Sequence, residues 1–146
     1  MKIQKGQSMF EVVLALFIIT MIIVAVVILS TNSISNSLFS RNKTLANRYS
    51  QEAIEWLRSE REANIALFKT RATGVYCLQQ PIDWLNTGSC GSTEVISANS
   101  IFTRQVNFTV ITSPTIIKAE VVTSWSDSRG VHQAISTTEF SDIREK

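Results

Sequence analysis

Residues Val12–Leu29 form an eighteen-residue run interrupted only by Thr20, and Glu11 stands immediately before it. As a helix the run spans ~27 Å at 1.5 Å per residue, close to the hydrocarbon thickness of a bilayer. It is apolar on every side, so it is not an amphipathic surface helix. A membrane span is the reading these residues require. A carboxylate at the head of such a span is costly, about 2.5–3.5 kcal/mol near the bilayer core, so Glu11 needs a partner and a task.

The flanks set the orientation. Lys2 and Lys5 precede the run, whereas Arg41 and Lys43 follow it a dozen residues later. The basic leader favours the cytoplasmic side, which puts the N-terminus inside and the bulk of the chain outside. An ordinary secretory signal has a shorter apolar region and ends in a small-x-small site; Ser30-Thr31-Asn32-Ser33 offers a poor match. An uncut single-pass anchor is the other competitor.

Between Gly6 and Gly74 there is neither glycine nor proline, the residues that punctuate most turns. Beyond the span, Leu45, Tyr49, Ala53, Trp56 and Leu57 recur at helical spacing among charged residues, which predicts an amphipathic helix with a stripe for a sheet. Taken as one element, residues 8–66 would make a rod of ~88 Å. Its weak point is Ser30–Ser40, where serine and asparagine compete for their own backbone and predict a bend or looser turn.

After Gly74 the pattern changes. Phe102–Ile111 alternates, with Phe102, Val106, Phe108 and Val110 on one face. Ile116–Trp125 also alternates, placing Ile117, Ala119, Val121, Thr123 and Trp125 together, and Val131–Phe140 is rich in strand formers. Pro114 marks the first turn, and Asp127-Ser128-Arg129-Gly130 reads as a hairpin connection. The expected fold class is α+β: a long N-terminal helix, transmembrane and then amphipathic, packed on a small antiparallel sheet. The expected divisions are a leader at 1–6, a span at 7–30, a helical continuation at 31–70 and a strand-rich head at 71–146.

A head of about 75 residues buries only ~60% of its unfolded surface and needs extra ties. One is packing onto the helix. The other involves Cys77 and Cys90, thirteen positions apart, which is neither a redox C-x-x-C pair nor a zinc pattern. Outside the cytoplasm a structural disulfide is the natural reading, with two unpaired thiols as the alternative. Trp84 and Leu85, inside that loop, read as plugs folded onto the core, with an exposed binding aromatic as the sharper alternative.

Catalytic chemistry finds no foothold. His132 is the single histidine, and no phosphate loop, dinucleotide fingerprint, nucleophile elbow or zinc-protease motif occurs. No catalytic residue, metal ligand or cofactor is expected. The net charge of +2 resides in the leader, because losing Lys2 and Lys5 leaves twelve basic against twelve acidic residues. Arg71, Arg104, Lys118, Arg129, Arg144 and Lys146 are scattered among acids, so no clear nucleic-acid site is read.

The N-terminal string K-G-Q-S-M-F-E-V-V-L-A-L resembles the class III signal of type IV pilin-like proteins. The resemblance extends over the whole chain: basic leader, Gly6 and Glu11, apolar span, helical stalk, cysteine loop and terminal meander. Glu11–Leu16, Gln51–Ser59 and Ile116–Gly130 are similar to the minor pilin and pseudopilin subgroup, including the I-type minor pseudopilins. It implies cleavage between Gly6 and Gln7 by a prepilin peptidase, methylation of the new α-amino group, and subunit docking through Glu11. The partners implied are that peptidase, the inner membrane, and other pilins or pseudopilins bound through the N-terminal helix. Gln7 stands where the family most often has phenylalanine. The span also lacks the proline of many major pilins, which favours a minor or priming subunit. A type II secretion pseudopilin, or a tip-located subunit for adhesion or DNA uptake, are the variants of the same reading.

Overall fold

The computed structural model describes residues 5–112 and 115–141, with side-chain surroundings beginning at Met9. Pro114, Arg144, Lys146 and the leader residues Met1–Gln4 lie outside the described residues. The chain comprises α1 (Lys5–Ala63), α2 (Ile65–Arg71), β1 (Gly74–Cys77), β2 (Phe102–Thr112), β3 (Thr115–Asp127) and β4 (Gly130–Ser141). Contacts divide it into two compact units, residues 1–41 and 42–146.

In the first unit α1 is long and apolar enough to cross a membrane. Every described side chain from Met9 to Ile34 is exposed. The looser turn expected over Ser30–Ser40 does not form, since the stretch is helical throughout. Local hydroxyl bonding is compatible with that geometry: Thr31 Oγ1 donates to the carbonyls of Ile28 at 2.9 Å and Val27 at 3.1 Å, in the turn of the helix just before it. Thr20 does the same to Phe17 at 2.8 Å, so neither hydroxyl asks for an outside partner.

In the second unit, the C-terminal half of α1 packs on a four-stranded antiparallel sheet of order β1-β2-β3-β4. The helix presents Ala46, Ser50, Ala53, Ile54 and Leu57 to the core. The expected stripe was right at Ala53 and Leu57, but Leu45, Tyr49 and Trp56 lie at its flank. Small residues at 46, 50 and 53 let the helix backbone approach the sheet, which is why the buried line runs through them. The helix ends at Ala63 rather than running on to 66. Asn64 turns extended (φ −158°) and its Oδ1 accepts from the Leu67 N–H at 3.0 Å, capping α2.

The three expected strands are present and each is longer than read by one to three residues. The alternation in β3 buries Ile117, Ala119, Val121, Thr123 and Trp125 together. Val110, by contrast, is exposed. β1 stops opposite Phe108, so the end of β2 is an uncovered edge. β1 itself was not foreseen as a strand. It is followed by a loop that returns beside it, with a bridge between Tyr76 and Thr87 and an N–H···O bond from Gly88 to Val75 at 2.7 Å.

Candidate functional site

The residues expected from the sequence to be cut and to dock, Gly6, Gln7 and Glu11, lie at the start of α1. Gly6 and Gln7 are in its first turns, and their side-chain surroundings lie outside the described residues. Glu11 is exposed one turn further on, among exposed Met9, Phe10, Val12, Val13 and Leu14. It has no hydrogen-bond or ion-pair partner among the described residues. A carboxylate on a helix that is apolar all round must find its cation elsewhere, or remain in water.

The head is held by devices at three levels. Cys77, at the end of β1, is bonded to Cys90 with Cα atoms 4.9 Å apart. The thiols are therefore joined, and the loop between them is tied to the sheet edge.

Within that loop Trp84 turns inward. Its ring lies 4.8 Å from Trp56, 5.2 Å from Tyr76 and 5.9 Å from Phe108, and its Nε1 donates to Glu60 Oε2 at 2.8 Å. An aromatic body in the core with its N–H on a carboxylate satisfies both halves of the indole. Leu85 does not follow it. At 80% exposure Leu85 corrects the expectation that both residues plug the core. Asp83 Oδ1 accepts the Leu85 N–H at 3.0 Å, and this local turn directs the leucine outward.

The residue that sequence reasoning missed is Arg104. Counted by charge it belongs with the solvent-facing cations, yet its side chain is wholly buried. Nη1 donates to the Tyr49 carbonyl at 2.9 Å and to Glu52 Oε2 at 3.0 Å, and Nε donates to the Leu78 carbonyl at 3.3 Å. Nη2 is buried without a hydrogen-bond partner among the described residues. Burial pushes the guanidinium pKa down, against the attraction of Glu52. One β2 side chain thus binds the helix and the cysteine loop together. The available signal was phase, because residue 104 falls between Phe102 and Val106 on the inward face.

Arg71 and the lone histidine also have partners within the head. Arg71 lies 3.9 Å from Glu60, and His132 Nε2 is 2.9 Å from Asp127 Oδ1 at the β3–β4 hairpin. A hollow of about 410 Å³ beside the arginine is lined by Leu45, Arg48, Tyr49, Glu52 and Gln80, with both charge signs represented. Among the described residues no group of three or more histidine, cysteine, aspartate or glutamate side chains could hold a metal ion. No family model matches the chain, and no curated protein or solved structure matches it.

Proposed function

We propose that the chain is a minor pilin or pseudopilin. It is held in the cytoplasmic membrane by α1 with its N-terminus inside, cut between Gly6 and Gln7, and assembled into a filament of pilus or secretion-pseudopilus type. The observation that carries this reading is the exposed, all-round apolar start of α1 with Glu11 at its head, which has no partner among the described residues. Cleavage after Gly6 would create an α-ammonium at Gln7, four residues from Glu11. Joined across two subunits, the ammonium of one and the carboxylate of the next neutralise each other in a low dielectric and fix the axial stagger. A disulfide-tied head suits the oxidising side of the membrane. The fold offers a nucleic-acid partner little, because Arg104 is buried and Arg71 faces Glu60.

The test is the mass of the N-terminal peptide from cells with and without a prepilin peptidase. A peptide beginning at Gln7 only when the peptidase is present supports the reading; a start at Met1 in both would make the chain a plain anchor. Glu11→Ala should insert and be cut yet fail to enter filaments. Incorporation of that variant at the wild-type level would remove the docking role.

A further inference from the structure

Arg48 and Glu52 stand one turn apart on α1, at the i, i+4 spacing where opposite charges pair along a helix. They do not pair. Both carboxylate oxygens of Glu52 are engaged elsewhere: Oε2 accepts from Arg104 Nη1 at 3.0 Å and Oε1 accepts from Gln80 Nε2 at 3.2 Å. The Arg104 guanidinium is wholly buried, and a buried cation loses far more than an exposed one by giving up its anion. The core arginine therefore keeps the carboxylate. Arg48 is left exposed, with no hydrogen-bond or ion-pair partner among the described residues.

Both residues line the hollow of about 410 Å³, together with Leu45, Tyr49 and Gln80, and all five belong to the second compact unit. That volume falls in the range of small-ligand sites, roughly 300–1,000 Å³. The Tyr49 ring is steadied by Phe102, with centroids 5.4 Å apart, and its hydroxyl makes no hydrogen bond among the described residues. Glu52's charge is matched by Arg104 and Arg48's is not, so the hollow is net positive.

We propose that this hollow binds the carboxylate of a small organic acid. The planar Arg48 fork takes the two carboxylate oxygens, as guanidinium groups do. The Tyr49 hydroxyl and the Gln80 amide supply further donors, and the body of the acid lies against Leu45 and the Tyr49 ring. A phosphate would ask for a second cation, and Arg104, the other guanidinium at the site, is sealed in the core. A free acid and the C-terminus of a peptide carry the same group, and the experiment separates them. This inference concerns the head alone and does not rest on the filament reading.

The experiment is an NMR titration of the full chain in detergent micelles, following the Gln80 side-chain amide and the Tyr49 ring. The probes are benzoate, its neutral isostere benzamide, and an acetylated tripeptide ending in phenylalanine, as the free acid and as the C-terminal amide. At least one acid should shift these signals saturably while its amide does not. Benzoate alone would mark the ligand as a free acid, and the tripeptide acid alone would mark it as a peptide terminus; either supports the proposal. Arg48→Gln should weaken the acid that binds by about tenfold or more. It should leave the melting temperature in place, so that lost binding is not lost fold. Arg58→Gln removes the same charge from an exposed arginine already paired with Glu55 at 2.6 Å, and should leave the affinity unchanged. Saturation by neither acid would overturn the inference. So would equal responses to acid and amide, wild-type affinity in Arg48→Gln, equal weakening by Arg58→Gln, or tighter binding of inorganic phosphate than of either acid.

Discussion

Arg104 on β2 and Glu52 on α1 meet at 3.0 Å, with the guanidinium wholly buried and the carboxylate side chain 43% exposed. The pair is therefore lopsided: the cation has left water and the anion has not. What holds the cation is mostly the backbone, through the carbonyls of Tyr49 and Leu78. Glu52 adds the charge and is itself steadied by Gln80, whose Nε2 donates to Oε1 at 3.2 Å. Sheet, helix and cysteine loop are thereby referred to one side chain.

Removing that side chain should cost more than removing its anion. Arg104→Ala loses three hydrogen bonds and leaves a void in the core, for an expected loss of about 3–5 kcal/mol. Glu52→Ala leaves the cation with its two carbonyls, and solvent at the carboxylate screens what is lost, so the expected cost is roughly 1.5–3 kcal/mol. Denaturant unfolding of the two variants checks the order, and a larger loss for Glu52→Ala would show that charge, not backbone bonding, holds the arginine.

Ser50 Oγ and Thr123 Oγ1 lie 2.8 Å apart, both fully buried, where α1 crosses β3. Each hydroxyl satisfies the other in a place water does not reach. Ser50→Ala or Thr123→Val alone should cost about 1–3 kcal/mol by stranding the partner, while the double variant should recover much of the loss. A double-mutant cycle measures the coupling; additive losses would mean the hydroxyls have other partners.

The same interface explains how far the fold could be read in advance. The helix beyond the span and β2, β3 and β4 carry clear periods because one face of each meets the core over most of its length, whereas the span is legible from unbroken apolarity rather than from a period. Ser50 and Arg104 broke the code for opposite reasons. Ser50 was passed over because a hydroxyl on a helix reads as surface, and its burial depends on Thr123 lying seventy-three residues away. Arg104 sat at an inward phase, but a guanidinium there makes sense only once two carbonyls from distant segments converge on it. β1 was invisible because four residues carry too little pattern, and its pairing with residues 105–108 is a tertiary fact. At the start of α1, Gly6, Gln7 and Glu11 are read from a resemblance alone, and the fold adds only that Glu11 is exposed and has no partner among the described residues.

Cys77 and Cys90 close a thirteen-residue separation. In the chain-entropy account such a loop contributes about 3 kcal/mol by restricting the unfolded chain. The double variant Cys77→Ser/Cys90→Ser should lose an amount of that order, with the loop from Leu78 to Ser89 the first region to exchange its amides. Without reductant, neither cysteine of the native protein should label with an alkylating reagent. Labelling of both without reductant would mean the bond is not formed in the cell.

At the β3–β4 hairpin, Asp127 Oδ1 accepts from His132 Nε2 at 2.9 Å and from the Arg129 N–H at 2.7 Å. The bond from His132 first, and then the backbone N–H, hold the Asp127 carboxyl below the usual carboxylate range. A carboxyl depressed in the folded state adds stability above its unfolded value, and that contribution is lost as the pH falls through the folded value. Asp127→Asn should therefore lower the melting temperature at neutral pH, and the gap to the wild type should close on the acid side. Gly130, at φ +121°, sits in the same turn in a conformation that disfavours a Cβ. Melting curves of both proteins from neutral to strongly acid pH decide the matter. A gap that stays constant with pH would show that the Asp127 side chain acts through shape rather than charge.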